Sequence, residues 1–414
     1  MALVFLLPLL WAASIARAQD EVRPSLAGEQ AAEARRQDIE HIPYNLLLGP
    51  IRFRLSASLG VEFNDNINLA EVNTESDVIL RPQVNINAIW PVTQLNTLRL
   101  DIALGYAIYV DHSEDDTNGI LIAPGSQLAF DLFVGDFRIN FHERPSLQQD
   151  PIAELALSNV VDYGRFENTA GVSVLWDLNK VVVTLGYDHY TYISTTSQFD
   201  YLDRNAEELS GTIDFALTST TSAGIESYAV FNYYGKNVLN DSTDFAAGGF
   251  VETQLTNYIK MRAAAGYQLI SFSDTGLVSS GPFHDSSKLS DYYANILISH
   301  RIRPGIIQTL SAGHESQLGV NSNYISLNYI RHTVSFAIIR NTLISTEFFY
   351  EDADESGGFI DEHLHRFGGA IAIGYQLTRH VTLGLRYQYT QKDSDVPLRD
   401  YTQNRVSFDA TYSF

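Results

Sequence analysis

The sequence predicts an all-β fold, a single transmembrane antiparallel up-and-down β-barrel of about 18 strands with both termini on the periplasmic side. Three observations predict it. Apolar and polar residues alternate with a period of two from Ile51 to Phe414, which gives each strand one apolar and one polar face. Short and long connections between these segments alternate along the chain. The abundant aromatic residues, 23 Tyr and 22 Phe, gather near segment ends, where their rings suit the headgroup level of a bilayer.

The alternating segments are long for strands of a soluble sheet. In the first, Phe53 and Leu55 share the apolar face, and Arg52 and Arg54 share the polar one. Most segments reach the about 9 to 11 residues that a tilted strand needs to cross a bilayer. The predicted strands are 51–64, 77–90, 97–111, 121–134, 137–143, 165–177, 181–193, 207–218, 221–234, 243–255, 258–272, 289–302, 306–314, 323–339, 343–350, 363–377, 381–391 and 402–414.

The connections support the same architecture. Turns such as 135–136 and 378–380 are short, and the connections that alternate with them, such as 273–288, are long. Short turns at one end and long loops at the other are typical of outer-membrane barrels. The long connection 144–164 is expected to fold inward and to narrow the lumen, because it holds Arg144, Asp150 and Glu154.

One predicted strand, 323–339, changes phase near its middle. Two explanations stay open: a β-bulge near 330–333 repairs the register, or the first half belongs to the preceding loop. The apolar residues are Ile325, Leu327 and Tyr329 on one parity, and Val334, Phe336 and Ile338 on the other.

Three segments are expected along the chain. Residues 1–18 have an apolar core followed by Ala16-Arg17-Ala18, which predicts a secretory signal peptide. Residues 19–50 are expected to be a periplasmic lead or linker, in which 29–40 could form a short helix. Residues 51–414 are predicted to be the outer-membrane barrel. No stretch reaches about 18 consecutive apolar residues, so no transmembrane helix is predicted.

Composition excludes several classes of function. The net charge of −22 argues against nucleic-acid binding, which needs a basic surface. With no cysteine in the chain, disulfides, thiolate metal sites and cysteine nucleophiles are excluded. No convincing catalytic set of Ser, His and a carboxylate is visible; Ser311 and His314 do not form one. His363 and His365 have a spacing that could hold a metal, but their sequence neighbours do not complete a ligand pattern, so no metal or cofactor is predicted.

The polar faces of the strands are expected to line the lumen, because charged side chains cannot face lipid. One interpretation is a polar pore, with a basic wall from the first and last strands facing an acidic wall. The other is that opposite charges pair along the wall and keep the interior wet and rigid. The candidate pore-lining residues are Arg52, Arg54, Arg81, Arg99, Asp101, Arg138, Glu208, Asp214, Glu226, Glu252, Arg262, Arg386 and Arg405.

The stretch from Gly60 to Ile67, Gly-Val-Glu-Phe-Asn-Asp-Asn-Ile, resembles the Gly-x-x-(Tyr/Phe)-(Asn/Asp)-Asp-Asn-Ile stretch of an outer-membrane β-barrel porin family. Members of that family are often encoded with exopolysaccharide export genes. The stretches 76–82 and 329–336 fit as well, and the resemblance covers about residues 50–414.

The resemblance implies a channel in the outer membrane of a Gram-negative bacterium, for passive passage of polar solutes or of an exported exopolysaccharide. A sugar path would add aromatic rings on the lumen side, and Tyr109, Tyr190 and Tyr228 are the candidates. The alternative is a structural or adhesive barrel with an occluded lumen, whose external loops bind a partner. Expected partners are outer-membrane lipid, the barrel assembly machinery through the strand that ends at Phe414, and a polysaccharide or its export proteins.

Overall fold

A computed structural model describes residues 42–414 except 94, 118, 274–287, 338 and 358–360. The predicted signal peptide and the predicted helix over 29–40 lie outside these residues. Within them, 21 β-strands form one antiparallel sheet. The strands are β1 Leu46–Leu48, β2 Ile51–Asn64, β3 Asp77–Pro91, β4 Thr97–Gly105, β5 Ile108–Tyr109, β6 Leu121–Ile122, β7 Gln127–Val134, β8 Phe137–Gln148, β9 Arg165–Asp177, β10 Val181–Ser194, β11 Arg204–Ala216, β12 Thr221–Tyr234, β13 Ser242–Thr256, β14 Ile259–Phe272, β15 Leu289–Arg303, β16 Ile306–Leu318, β17 Tyr324–Phe336, β18 Thr342–Glu355, β19 His363–Gln376, β20 Val381–Ser394 and β21 Tyr401–Ser413.

The sheet closes on itself. Long neighbouring strands pair in chain order, and β2 pairs with β21 from Ser56↔Ser413 to Asn64↔Arg405. The short strand β5 continues the line of β4, since it also pairs with β3. The short strand β6 continues the line of β7, since it also pairs with β4 and β8. Among the described residues, 18 long strands therefore form one closed antiparallel barrel, as the sequence predicts. The described part of the chain contains no helix long and apolar enough to cross a bilayer.

The outer surface of the barrel is apolar. Large side chains of the predicted apolar parity are exposed, for example Leu185 at 60 %, Ile225 at 57 % and Phe408 at 46 %. The predicted aromatic residues near strand ends, among them Trp176 and Tyr233, are exposed on the same face. Such a surface is stable only against lipid, because a water-soluble monomer rarely exposes apolar patches larger than a few hundred Å². Period-two alternation therefore distinguished the two faces of the wall correctly.

The last residues of the predicted lead join the barrel. The short strand β1 pairs with β2 beyond the point where β21 ends, with Leu46 opposite Phe53 and Leu48 opposite Ile51. The side chain of Asn45 accepts a hydrogen bond from Leu55 N at 3.0 Å and donates one to Leu55 O at 2.6 Å. This segment extends the line of the closing strand by several residues.

The phase change in β17 has neither of the two predicted causes. The register to β16 and to β18 runs without interruption, from Ile306↔Phe336 to Leu318↔Tyr324 on one side, so there is no bulge. Both halves also belong to the strand, so its first half is not part of the loop. Ile325 and Leu327 simply point inward, and each has 0 % exposure. A polypeptide segment inside the barrel covers them.

Candidate functional site

The segment inside the barrel is the connection between β8 and β9, residues 149–164, which we call the inner loop. Strand β8 runs to Gln148, so this loop is shorter than the predicted 144–164. It begins with a 3-10 turn, Pro151–Ala153, capped by the Asp150 side chain, which accepts a hydrogen bond from Ile152 N at 3.1 Å. Its second half packs partly against Tyr192 on the neighbouring strand β10, but residues 150–158 contact strands β17 to β21, on another part of the wall. The loop therefore crosses the lumen, as the sequence analysis expected.

The first attachment of the inner loop is ionic. The Glu62 carboxylate bonds two guanidinium groups, Arg405 at 2.9 Å and Arg81 at 3.3 Å. Glu62 balances the charge of only one of these two cations. The Asp150 carboxylate of the inner loop, 2.9 Å from Arg405, balances the other. Burial by itself would raise the pKa of Asp150, but Arg405 and Arg81 outweigh it and hold this pKa below its ordinary value. Asp150 is therefore ionised at neutral pH.

A second carboxylate on the same side of the barrel holds two cations in the same way. Glu351 bonds Arg366 at 2.7 Å and Arg331 at 2.9 Å. Arg366 also donates to the backbone carbonyl oxygen of Ile152 in the inner loop at 2.8 Å. Here too, two arginines share one carboxylate, and the inner loop supplies a further acceptor oxygen to one of them.

The third attachment lies farther along the loop. Glu362 bonds Lys392 at 2.9 Å and Arg399 at 2.9 Å. Arg399 donates to the carbonyl oxygen of Ala156, and Lys392 donates to the Ser158 hydroxyl at 3.2 Å. The side chains of Lys392 and Glu362 are fully buried, so removing either partner would leave an uncompensated buried charge.

Apolar contacts fill the space between these attachments. Leu155 and Ala156 of the inner loop pack in one buried cluster with inward-facing residues of three strands. These residues are Ile325 and Leu327 on β17, Ala353 on β18 and Leu364 on β19. The apolar residues of anomalous phase in the sequence thus form the surface on which the loop docks.

A second apolar cluster brings several long loops together above the inner loop. Leu157, Val160 and Tyr163 of the inner loop pack with residues of other connections. A cavity of about 170 Å³ lies beside this cluster, lined by residues that include Phe199, Tyr201 and Arg399. The other buried members of the cluster are Tyr192, Phe199, Leu202, Leu239 and Val320. The long loops therefore cover part of this end of the barrel.

The wall formed by β11 to β15 is built differently. The Glu226 carboxylate bonds one cation, Arg262, at 2.5 Å and accepts a hydrogen bond from Tyr293 at 3.0 Å. The Tyr293 ring lies across Gly248 and Gly266, where an added Cβ atom would overlap it. Small residues on neighbouring strands let this ring lie flat along the wall.

The predicted pore-lining residues all lie on the parity opposite to the exposed apolar side chains, as the strand registers show. Several of them are paired with carboxylates. Arg99 and Arg138 both bond Asp131, at 2.9 and 2.8 Å, and Arg386 bonds Glu347 at 3.2 Å. Charge on the wall is therefore partly balanced by local pairs, the second of the two interpretations left open by the sequence.

The three tyrosines predicted to stack on sugars differ in their surroundings. Tyr109 is buried, at 7 % exposure, in a cluster with Ile79 and Ala107. Tyr190 lies near the guanidinium group of Arg204, which is 5.3 Å from its ring centre. Tyr228 is half-buried on the β12 wall.

Some residues of the attachment sites escaped the sequence analysis. Glu362, Lys392 and Arg399 lie near strand ends, where alternation gives no guide to direction. Their only sequence signal is a cluster of charge beside predicted long loops. Which carboxylate meets which cation depends on the register between strands, and period two does not fix that register.

Comparisons with known proteins agree with this architecture. The model of a family described as "Putative beta-barrel porin 2" matches residues 48–414. The structure of Pseudomonas aeruginosa OccK2 (OpdF) has a TM-score of 0.51 and 11 % identity, and the match covers 89 % of this chain and 99 % of that one. A structure of OccK2 in complex with glucuronate has a TM-score of 0.50 and 11 % identity, with 89 % and 100 % covered. At this identity the likeness shows the fold alone. No curated protein matches the sequence.

Proposed function

We propose that this chain, which belongs to the beta-barrel porin family that matches residues 48–414, is a narrow passive channel for small polar solutes. As a member of that family it is a channel-type protein of the bacterial outer membrane rather than an enzyme. Its long loops face the cell exterior and both termini face the periplasm in this proposal, as in barrels of this type. The solute diffuses through a polar lumen without a cofactor.

The observation that carries the proposal is the inner loop. It is fastened by Asp150, Ile152 O and Ala156 O to three arginines on one side of the wall. A barrel of about 16 to 18 strands without such a segment encloses a wide aqueous channel. The loop narrows it, and the solute path then runs between the loop and the wall of β11 to β15, where Glu226, Arg262 and Tyr293 meet.

The predicted pore-lining set divides along this path. Glu208, Asp214, Glu226, Glu252 and Arg262 would face passing solutes, because they belong to the wall away from the attachments. Arg405 would act through the inner loop, since it bonds Asp150, and Arg81 would act through Glu62, the carboxylate that it shares with Arg405. For a sugar-like solute, Tyr228 is the better placed stacking candidate, while the Tyr109 ring is packed among apolar side chains.

An exported polysaccharide would need the inner loop to leave its docking surface. The Asp150–Arg405 ion pair, the two arginine hydrogen bonds to loop carbonyl oxygens and the Leu155 contacts oppose that movement. We therefore favour small solutes over a polymer. The C-terminal strand, with its exposed Phe414, remains our proposed signal for the barrel assembly machinery.

One observation favours the alternative of an occluded barrel. The buried cluster of Leu157, Val160 and Tyr163 with residues of other long loops covers part of the entrance. If that cover is complete, no solute passes and the loops themselves are the functional surface.

Single-channel recording in planar bilayers distinguishes these functions. The proposal predicts small, regular conductance steps for the purified protein, and liposome swelling with monosaccharides or amino acids but not with long oligosaccharides. Absence of conductance at all voltages, in protein shown to be folded by circular dichroism, would favour the occluded barrel. Permeation by long oligosaccharides would favour polymer export.

A further inference from the structure

We propose that His363, His365 and Asp352 form a binding site for a divalent transition-metal ion of the Zn²⁺, Ni²⁺ or Cu²⁺ class. The site lies on the outer face of the barrel at its long-loop end, and it is independent of the channel function proposed above. Ligand atoms of these three residues all lie within 4.8 Å of one another.

Strand register brings the residues together. In the pairing of β18 with β19, Asp352 lies opposite His365 and Asp354 lies opposite His363. These positions share the parity of Phe348, which is 49 % exposed on the outer surface. Two imidazoles and two carboxylates thus form a square on one face of the sheet. The i, i+2 spacing of the histidines is visible in the sequence, but the carboxylates that complete the square are not sequence neighbours.

The distance between the two imidazoles suits a shared ion. His363 Nε2 and His365 Nε2 are 3.2 Å apart. Two nitrogen ligands at about 2.0 to 2.1 Å from a tetrahedral ion are separated by roughly 3.3 Å. The Asp352 Oδ1 atom lies 3.8 Å from His363 Nε2, so a small side-chain rotation would bring it into the same coordination sphere.

The surrounding contacts prepare the donor atoms. His363 Nδ1 lies 2.6 Å from Asp354 Oδ1, so the carboxylate holds the proton on Nδ1 and leaves Nε2 with a lone pair. Metal-bound histidines usually have such a carboxylate partner. Asp352 Oδ1 is buried and, within the described part of the chain, has no hydrogen-bond partner, although His365 Nδ1 is 2.9 Å away. The Asp352 side chain is 29 % exposed, so it has room to turn this oxygen toward a cation beside the two imidazoles.

A chain of hydrogen bonds is the competing explanation. The Tyr350 hydroxyl lies 3.2 Å from His365 Nδ1, so a proton on His365 Nε2 could be donated to His363 Nε2. That arrangement needs no metal, and in it Asp352 Oδ1 keeps the His365 Nδ1 atom as its neighbour at 2.9 Å. The metal site accounts for all three groups, and imidazole ligands select Zn²⁺, Ni²⁺ and Cu²⁺ over Mg²⁺ and Ca²⁺.

Isothermal titration of the untagged, full-length protein in detergent tests the proposal. Zn²⁺ should bind with one high-affinity equivalent, Mg²⁺ and Ca²⁺ should not compete, and H363A and H365A should each weaken binding at least tenfold. D352N should weaken it less. The matched control is H189A. It removes another outward imidazole, whose Nδ1 lies 2.9 Å from the Glu207 carboxylate, but which belongs to no cluster of metal-ligating side chains among the described residues.

Three results would overturn the metal site. The first is the absence of a stoichiometric site for Zn²⁺, Ni²⁺ and Cu²⁺, which would leave a hydrogen-bond chain only. The second is equal loss of binding in H189A and H363A. The third is binding that Ca²⁺ displaces and that survives in both histidine variants, which would show a nonspecific acidic surface. Circular dichroism of each variant verifies that the barrel is folded, and Cu²⁺ electron paramagnetic resonance, with hyperfine splitting from two nitrogens, provides a readout independent of affinity.

Discussion

The two halves of the inner wall differ in how they balance charge. On the side of β17 to β21 with β2 and β3, the carboxylates Glu62, Glu351 and Glu362 each bond two cations. On the side of β11 to β15, Glu226 bonds one cation and a tyrosine hydroxyl. On the first side, Arg405, Arg366 and Arg399 also bond oxygen atoms of the inner loop. On the second side, Glu226 is satisfied by the wall itself, without an oxygen or donor from the inner loop.

Three arginines on or beside the last strands thus hold the inner loop. A buried arginine that lacks a full set of acceptors is costly, and a backbone carbonyl is a sufficient acceptor. The side with these arginines therefore fixes the position of the inner loop, and in the proposed function the solute passes on the other side. Three sets of variants and a change of pH test this division of the wall.

The largest effect should come from removing the loop. Replacing 152–161 with a short Gly-Ser linker should increase single-channel conductance several-fold, because a barrel of this size then encloses an open channel. A Gly-Ser segment of the original length should give nearly the same increase, since it lacks the docking contacts. An unchanged conductance in both variants would mean that the loop does not limit the path.

The next effect concerns the apolar docking surface. Leu327→Asp should release the inner loop, because an unpaired carboxylate in the cluster with Leu155 costs several kcal/mol. Conductance should rise about twofold to threefold, with frequent switching between levels. The matched control is Leu297→Asp on β15, an inward position opposite Arg262, where the loop contacts should persist and this switching should be absent.

A smaller effect should follow the pH. Because the pKa of Asp150 is lowered in the folded protein, its stabilising contact with Arg405 is complete above the ordinary aspartate pKa of about 3.9 and is lost as pH falls through the lowered value. Conductance should stay constant from pH 7 to about pH 4 and rise below it. Asp150→Asn should show the raised level already at pH 7, with a weaker pH dependence. A wild-type conductance change centred near pH 6 would contradict this assignment.

The smallest effect should come from the opposite wall. Glu226→Gln removes a negative charge beside the proposed path without touching the loop attachments. The reversal potential in a salt gradient should shift by a few millivolts toward anions, while conductance changes little. Glu351→Gln on the docking wall provides the comparison, because it should instead disturb the loop and increase current fluctuations.

The sequence predicted the wall better than the interior. Alternation is a local property, so it identified the outward face of Leu185 or Phe408 and a barrel of about 18 strands. The direction of Leu327 was visible as a break in phase, but its cause was not, because the segment that covers it is about 170 residues away in the chain. In this barrel, the phase break without a bulge marks the strand on which the inner loop docks.

Interior pairings depended on information that local patterns do not contain. The sequence placed Arg405 and Glu62 on polar faces, and it expected the 144–164 connection to fold inward. It did not show that Asp150 would meet Arg405, or that Asp352 would meet His365, because each contact depends on closure or register. A shift of one residue in either register would separate these pairs.

The position of the inner loop can be measured directly, since the chain has no cysteine of its own. Ala156 and Ala353 share one buried cluster, whereas Ala246 lies on β13. A short bis-maleimide should cross-link the double variant Ala156→Cys/Ala353→Cys efficiently in outer-membrane vesicles, and Ala156→Cys/Ala246→Cys poorly. Equal or reversed cross-linking of the two pairs would contradict a loop docked on the β17 to β21 side.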